Sequence, residues 1–422
     1  MAAIVIARAV WSTIRRIYKL VLLVIAAFLL QAQTTPGLDD NQKLAQAASL
    51  TRQHHFAEAE ALVKGIGIPP DPKRAVAFHR LRAAIAAGLQ RPKESAEEMH
   101  AALNLAPNNA EILKAAAVAD MVWLDVQLKT RPHPDLAATV ADMRNLQAKG
   151  FEDTGDLEEL LGEAYEALGD SVSAARSFQQ AVRLSPNEER FRIALAIELM
   201  QHQTYEPALV ILKRAAIGFP RSARTRTALA LTLFLSGEEK QGTAQLLDAI
   251  SLDPNFTPAI HYLGEIALNQ GTAPDQRTVK AECDYAGAHA ADSEAAAYCG
   301  ALEARVATDN PEAADWTPIL RRLSMAASRS PESALTRCEY GKALYQAHDW
   351  AKARSELQVC VRLDPNSIEG HYRLARVYER FGAQELARKE LALRAAASER
   401  VAATNNAREE SVRGFLYTMG QR

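Results

Sequence analysis

The chain has 422 residues, 48% apolar and 24% charged, with abundant Ala, Leu, Glu and Arg, a profile that predicts a helix-rich protein. Its formal charge is −2; the first 32 residues hold Arg8, Arg15, Arg16 and Lys19 and no acid, which leaves about −6 on the remainder. That balance argues against nucleic acid as a partner, because such binding needs a basic face to displace counterions.

At the N-terminus, Arg15, Arg16 and Lys19 precede an unbroken apolar run from Leu20 to Leu30, after which Gln31 to Pro36 turn polar. This is the order of an export signal over residues 1–32, with cleavage expected near Ala32. As a helix the run would rise only about 16 Å, short of a hydrocarbon core of about 30 Å. The alternative is an uncleaved inner-membrane anchor, lengthened by the apolar stretch Met1 to Val10. Either way the expectation is a periplasmic or secreted chain, touching membrane only through this segment. The first cysteine is Cys283, so no lipid-modified cysteine follows the signal.

A 34-residue period dominates the rest of the chain. Pro186, Pro220 and Pro254 stand 34 residues apart, and Pro365 ends a similar segment. Counting units from 155, 189, 223 and 334, position 7 holds Leu161, Leu195, Leu229 and Tyr340, and position 8 holds Gly162, Ala196, Ala230 and Gly341. Position 11 holds Tyr165, Leu199, Leu233 and Leu344; position 20 holds Ala174, Ala208, Gly242 and Ala353; position 24 holds Phe178, Leu212, Leu246 and Leu357. A unit from 368 keeps Leu374, Ala375, Tyr378, Gly382, Ala387 and Leu391, with Arg394 where position 27 is usually small. Steps of three and four place positions 4, 7, 8 and 11 on one face of a first helix and 20, 24 and 27 on one face of a second. Small residues at 8 and 20 let the backbones approach, and proline near 32 stops the second helix.

This pattern resembles the tetratricopeptide repeat. The resemblance implies an all-α fold, a right-handed superhelical solenoid of helix hairpins. Residues 33–154 read as divergent repeats, with Ala47, Leu50, Phe56, Ala59 and Val63 in one unit, Ala83, Ala86, Met99, Ala102 and Pro107 in the next, and an insertion at Lys129 to Pro134. Residues 155–256 form three strong repeats, 257–333 a degenerate stretch that loses register after Gly271, and 334–401 two strong repeats. Residues 402–422 read as a capping helix or tail, with Phe415, Leu416 and Met419 at helical spacing.

No motif for catalysis, metal or a cofactor stands out. His54 and His55 are adjacent and point about 100° apart on a helix, so they form no chelate. Gly65 and Gly67 lack a third glycine, and Gly-x-Ser-x-Gly, P-loop and paired His-Glu patterns are missing. Four cysteines behind an export signal allow three disulfide connectivities. Facing residues of an antiparallel hairpin lie equally far from its turn, which favours Cys283 with Cys299 and Cys338 with Cys360. The alternative is that each is a small buried residue, since Cys360 takes position 27.

In repeats of this kind the resemblance implies ligand binding along first-helix positions 2, 5, 9, 12 and 13. Here these positions predict a groove that begins acidic at Glu159 and Glu163 and turns apolar at Ile193, Ile197, Met200, Leu231, Phe234 and Leu235. It ends basic and aromatic at Tyr345, Tyr372 and Arg376. The expected function is a non-enzymatic scaffold that takes a protein or peptide segment outside the cytoplasm, in envelope or secretion-complex assembly. The alternative is a subunit that positions an envelope enzyme or biogenesis machine.

Overall fold

The structure, a computed structural model, describes residues 40–133, 135–269, 274–309 and 314–403. The expected export signal at 1–32 and the tail carrying Phe415, Leu416 and Met419 lie outside the described residues. Within them the chain forms twenty α-helices and no strand. They pair in chain order: α1 (Asp40–Arg52) with α2 (Phe56–Val63), α3 (Pro72–Gly88) with α4 (Pro92–Leu105), α5 (Ala110–Lys129) with α6 (Leu136–Ala148), and α7 (Gly155–Ala167) with α8 (Ser171–Leu184). Next come α9 (Glu189–Gln201) and α10 (Tyr205–Gly218), α11 (Ala223–Leu235) and α12 (Glu239–Leu252), and α13 (Thr257–Asn269) and α14 (Gln276–Ala288). The last pairs are α15 (Ser293–Asp309) and α16 (Trp316–Arg329), α17 (Ala334–Gln346) and α18 (Trp350–Leu363), and α19 (Ile368–Arg380) and α20 (Gln384–Ala403). The chain divides into two compact units at residues 198 and 199, inside α9.

Local chemistry sets the helix ends. Ser222, Ser333 and Ser367 cap the first helices of their pairs and Asp170 and Asp349 cap second helices, each side-chain oxygen accepting a backbone N–H of the first turn. Seven of the first helices close on a residue in the left-handed conformation: His54, Gln90, Gly169, Gln203, Gly237, His348 and Gly382 all have φ between 58° and 89°. The N–H of the following residue then reaches back five positions, as from Asp170 to the Tyr165 carbonyl at 2.8 Å and from Asp349 to that of Leu344 at 3.0 Å. These are the bonds that satisfy the last carbonyls of a helix. The chain therefore makes the same turn whether or not glycine is available for it.

Within a hairpin the closest approach is between positions 8 and 24. A Cβ built on Gly162 would stand 2.7 Å from the Phe178 ring, and one on Gly341 would stand 2.9 Å from the Leu357 side chain. Counting back from the cap of each second helix makes the core plain. Seven residues before Ser185, Phe219, Asp253, Ser330 and Asp364 stand Phe178, Leu212, Leu246, Leu323 and Leu357, all buried. Four before the same caps stand Ala181, Ala215, Ala249, Ala326 and Cys360.

Among the second helices from α8 to α18, one breaks this rule. In α14, capped by His289, the equivalent sites hold Glu282 and Tyr285, with Thr278 one turn earlier. Glu282 is fully buried where its counterparts are Leu or Phe, and burial pushes its carboxyl well above the usual carboxylate range. Tyr285 shares a 2.6 Å hydrogen bond with the Thr257 hydroxyl and stacks on His289 at 4.0 Å. The degenerate stretch is thus two further hairpins, one of which has polar groups at its core sites. This is why its sequence falls out of register.

The tight approach at Gly162 makes a signed prediction. An exposed helical Gly→Ala change normally stabilises by about 1 kcal/mol. Gly162→Ala is expected instead to destabilise the first unit by about 1–2 kcal/mol through overpacking against Phe178. Urea denaturation followed by circular dichroism checks this, and a raised midpoint would contradict such packing.

Candidate functional site: faces of the first helices

The groove positions expected from the sequence fall into three groups with different fates. Of the acidic residues, Glu159 is covered and Glu163 is partly so. Arg190 on α9 forms ion pairs with both Asp156 and Glu159 on α7, and its guanidinium lies 4.4 Å from the Phe191 ring centre. Burial pushes Glu159 up to about 8 and the Arg190 guanidinium down, and the pair between them opposes both shifts. Glu163, raised to about 7 by burial and then by Asp125 and Glu166, lies beside the Lys129–Asp125 pair, itself closed at 2.6 Å. Glu198 on α9 is also raised to about 7, first by burial and then by Glu166.

The apolar residues are not available to a ligand. Ile193 is 1% exposed, Ile197 5%, Met200 1%, Leu231 0% and Phe234 6%, so the expected apolar groove is corrected to core; only Leu235 is partly exposed. For Met200 and Phe234 the physical reason is direct packing between successive first helices in the second unit. Phe234 meets Tyr262 of α13 edge to face at 6.3 Å, and the Thr232 hydroxyl lies 2.9 Å from the Met200 sulfur. A signal for this was present: α11 reads Ala-Leu-Ala-Leu-Thr-Leu-Phe-Leu over residues 228–235, apolar almost all round, and such a helix is buried on all sides.

The basic and aromatic residues remain at the surface and are joined. In the second unit, Tyr345 at the end of α17 packs edge to face on Trp350 at 5.1 Å, and Arg380 of α19 lies over that indole at 4.4 Å. Arg373 bridges two rings, 4.7 Å from Tyr345 and 5.9 Å from Tyr372. Arg376 and Arg394 of α20 each stand 5.2 Å from Tyr372. The result is a continuous ladder of guanidinium groups and rings across α17, the start of α18, α19 and α20. Glu369 pairs with Arg373 and Glu379 with Arg376 at 2.7 Å, while Arg380 and Arg394 have no acidic partner among the described residues. Between Tyr372 and Arg394 there are six basic residues and three acidic ones. Trp350 and Arg373, which complete the ladder, lie at positions 17 and 6 of their repeats, outside the set read from the sequence.

A second concavity of about 440 Å³ lies in the first unit, lined by Arg144, Gln147, Asp153, Glu158, Arg176 and Arg183 among others. It is largely self-satisfied. Arg144 donates to Glu158, to Gln147 at 2.8 Å and to the Ser177 hydroxyl at 2.7 Å, and Gln147 donates to Glu158 at 3.0 Å. The cysteines form two disulfides, Cys283 to Cys299 and Cys338 to Cys360, with Cα–Cα distances of 4.9 and 4.7 Å. The first joins α14 to α15 across the turn between neighbouring pairs, and the second closes the α17–α18 hairpin.

Stacked helix pairs with a shared 34-residue register define a helical-repeat protein, a fold suited to binding other polypeptides. Residues 159–188 match the family model of the tetratricopeptide repeat. That match covers one repeat, and the recurring hairpins around it give the chain the all-α fold of tetratricopeptide repeats. No curated protein matches it. Among solved structures it is similar to YrrB, a TPR protein with an unusual peptide-binding site, at 19% identity over 49% of this chain and 96% of that one, TM-score 0.36. It is similar to the APC/C hetero-tetramer Cut9-Hcn1 at 13% identity over 90% and 84%, TM-score 0.42. A tetratricopeptide repeat protein from Parabacteroides merdae is similar at 12% identity over 64% and 99%, TM-score 0.44. At these scores the likenesses carry no argument about partner or site.

The raised carboxyls set a pH dependence. Glu163 and Glu198 bind protons up to about pH 7 in the fold, whereas an unfolded carboxyl releases them near 4.5. Between those values the folded state holds more protons, so stability falls as pH rises and stays at its lower value above the folded pKa. The thermal midpoint is expected to drop between about pH 5 and pH 8. The double variant Glu163→Gln, Glu198→Gln should flatten that decline and be the more stable protein at pH 8, as scanning calorimetry across the range will check.

Proposed function

We propose that this protein is a binding scaffold outside the cytoplasm whose arginine–aromatic face on α17, α19 and α20 takes an acidic segment of a partner protein. The observation that carries this is the ladder from Tyr345 to Arg394, in which rings and guanidiniums that would otherwise be mobile are stacked at the surface. A guanidinium held over a ring gains about 0.5–1 kcal/mol at an exposed site and keeps its N–H edge free. That edge is a planar fork matching a carboxylate. Tyr345, Tyr372 and Trp350 add flat apolar area beside the charges, which suits a segment with an aromatic or aliphatic anchor among its acids. The apolar first-helix positions, being core, add nothing to this surface.

Location outside the cytoplasm is supported by the export-like order of residues 1–32 and by two cross-linked cysteine pairs, which persist in oxidising compartments. Work in assembling or positioning an envelope complex follows from such a scaffold as its most economical use, with catalysis left to a partner.

Two measurements test this reading. A fluorescent Asp/Glu-rich peptide with one Phe is expected to bind the full chain with an affinity that falls as salt rises. Arg376→Glu with Arg380→Glu should weaken it at least about tenfold while the helical signal is kept. Equal binding of a Lys-rich peptide, or tighter binding of single-stranded RNA, would defeat the proposal. Separately, alkaline phosphatase fused after Arg422 should be active in a bacterial host when residues 1–32 are present and inactive when they are deleted; the same activity with and without them would reject export by this segment.

A further inference from the structure

The two disulfides sit in different surroundings. Cys338 is 7% exposed and Cys360 0%, and the polar group near both sulfurs is the Ser367 hydroxyl, 3.9 and 3.7 Å away. Cys283 is partly exposed and Cys299 fully buried. Arg322, reaching from α16, places its Nη1 against the Cys299 Sγ and 3.5 Å from the Cys283 Sγ, and holds Glu303 of α15 at 2.6 Å. One bridge is thus sealed beside a hydroxyl. The other joins a partly exposed cysteine to a fully buried one, with a cation in contact with the buried sulfur.

This asymmetry fits the chemistry of thiol–disulfide exchange. A thiolate attacks the sulfur it can reach, and exchange is faster when the departing sulfur is stabilised as a thiolate. From these contacts we infer that Cys283–Cys299 is an exchangeable disulfide, reduced by an external dithiol that attacks Cys283 and expels Cys299 as a thiolate held by Arg322. The first step breaks the Cys283–Cys299 bond and forms a mixed disulfide between Cys283 and one sulfur of the reductant. The second sulfur of the reductant, as a thiolate, attacks its own partner sulfur in that mixed disulfide and releases Cys283 as a thiolate. The reductant leaves as a disulfide, the protein pair has gained two electrons, and both cysteines take protons from solvent. The Glu303 carboxylate, paired with Arg322 and within 4.8 Å of both sulfurs, opposes the thiolate and moderates the rate.

The location gives the exchange a consequence. α14 lacks the Leu or Phe that anchors every other second helix from α8 to α18, carrying Glu282 there instead, and it lies chiefly against α15, to which the disulfide ties it. Reduction removes that tie from a helix whose anchoring site holds a buried acid, so α14 opens locally while α17 and α18 stay closed.

The test uses the oxidised full chain with limiting dithiothreitol, alkylation of released thiols at intervals, and mass spectrometry of each cysteine. Cys283 and Cys299 are expected to be alkylated about tenfold faster than Cys338 and Cys360. Arg322→Met should slow the first pair several-fold and Glu303→Gln should hasten it, opposite signs that a general loosening would not produce. With glutathione as a monothiol, the trapped adduct should be on Cys283. Amide exchange of residues 276–288 should rise on reduction and that of 334–363 should not. Reduction of both bridges at one rate, an adduct on Cys299, or rates unmoved by both variants would overturn the inference.

Discussion

A pair of helices thirteen or fourteen residues long has more apolar surface than it can hide within itself, and every other feature of this protein depends on how the surplus is covered. Within each unit a hairpin sets one face of each helix against the other, through a small residue opposite a large one, and its remaining faces against neighbouring hairpins. Stability then depends on neighbours and not on a central core. The same demand decides what is left for binding, because a first-helix residue that touches the next first helix cannot also touch a ligand.

That competition explains which parts of the molecule could be read from the sequence. Positions 8, 20, 24, 27 and 32 were legible because they act inside one repeat, where spacing and distance are nearly the same thing. The facing of Cys338 with Cys360 and of Cys283 with Cys299 was legible for the same reason, being short-range symmetry about a turn. Positions 5, 9 and 12 were not, since Ile193, Met200, Leu231 and Phe234 can line either a groove or a seam, and only the distance between successive repeats distinguishes the two. The left-handed residue closing seven of the first helices is glycine at Gly169, Gly237 and Gly382, whereas His54 and Gln90 adopt the conformation because the surrounding hairpin imposes it.

The surface ladder was half legible. Tyr345, Tyr372 and Arg376 fall on the expected positions, whereas Trp350 opens the second helix α18 and Arg373 lies one position beyond the expected set. A linear pattern treats these as separate facts, and stacking makes them one face. Arg322 beside the sulfurs of Cys283 and Cys299 is a similar case: it lies 39 and 23 residues from them in sequence, beyond any local rule.

The carboxyl of Glu282 bears on how the array comes apart. In a row of modules that talk only to those beside them, cooperativity is passed along like a signal through links in series, and it stops at the poorest link. A module with an acid in place of its anchoring side chain is such a link. Melting of the row should therefore arrive in two stages, with Trp350 and Trp123, which flank that module in the chain, reporting different midpoints.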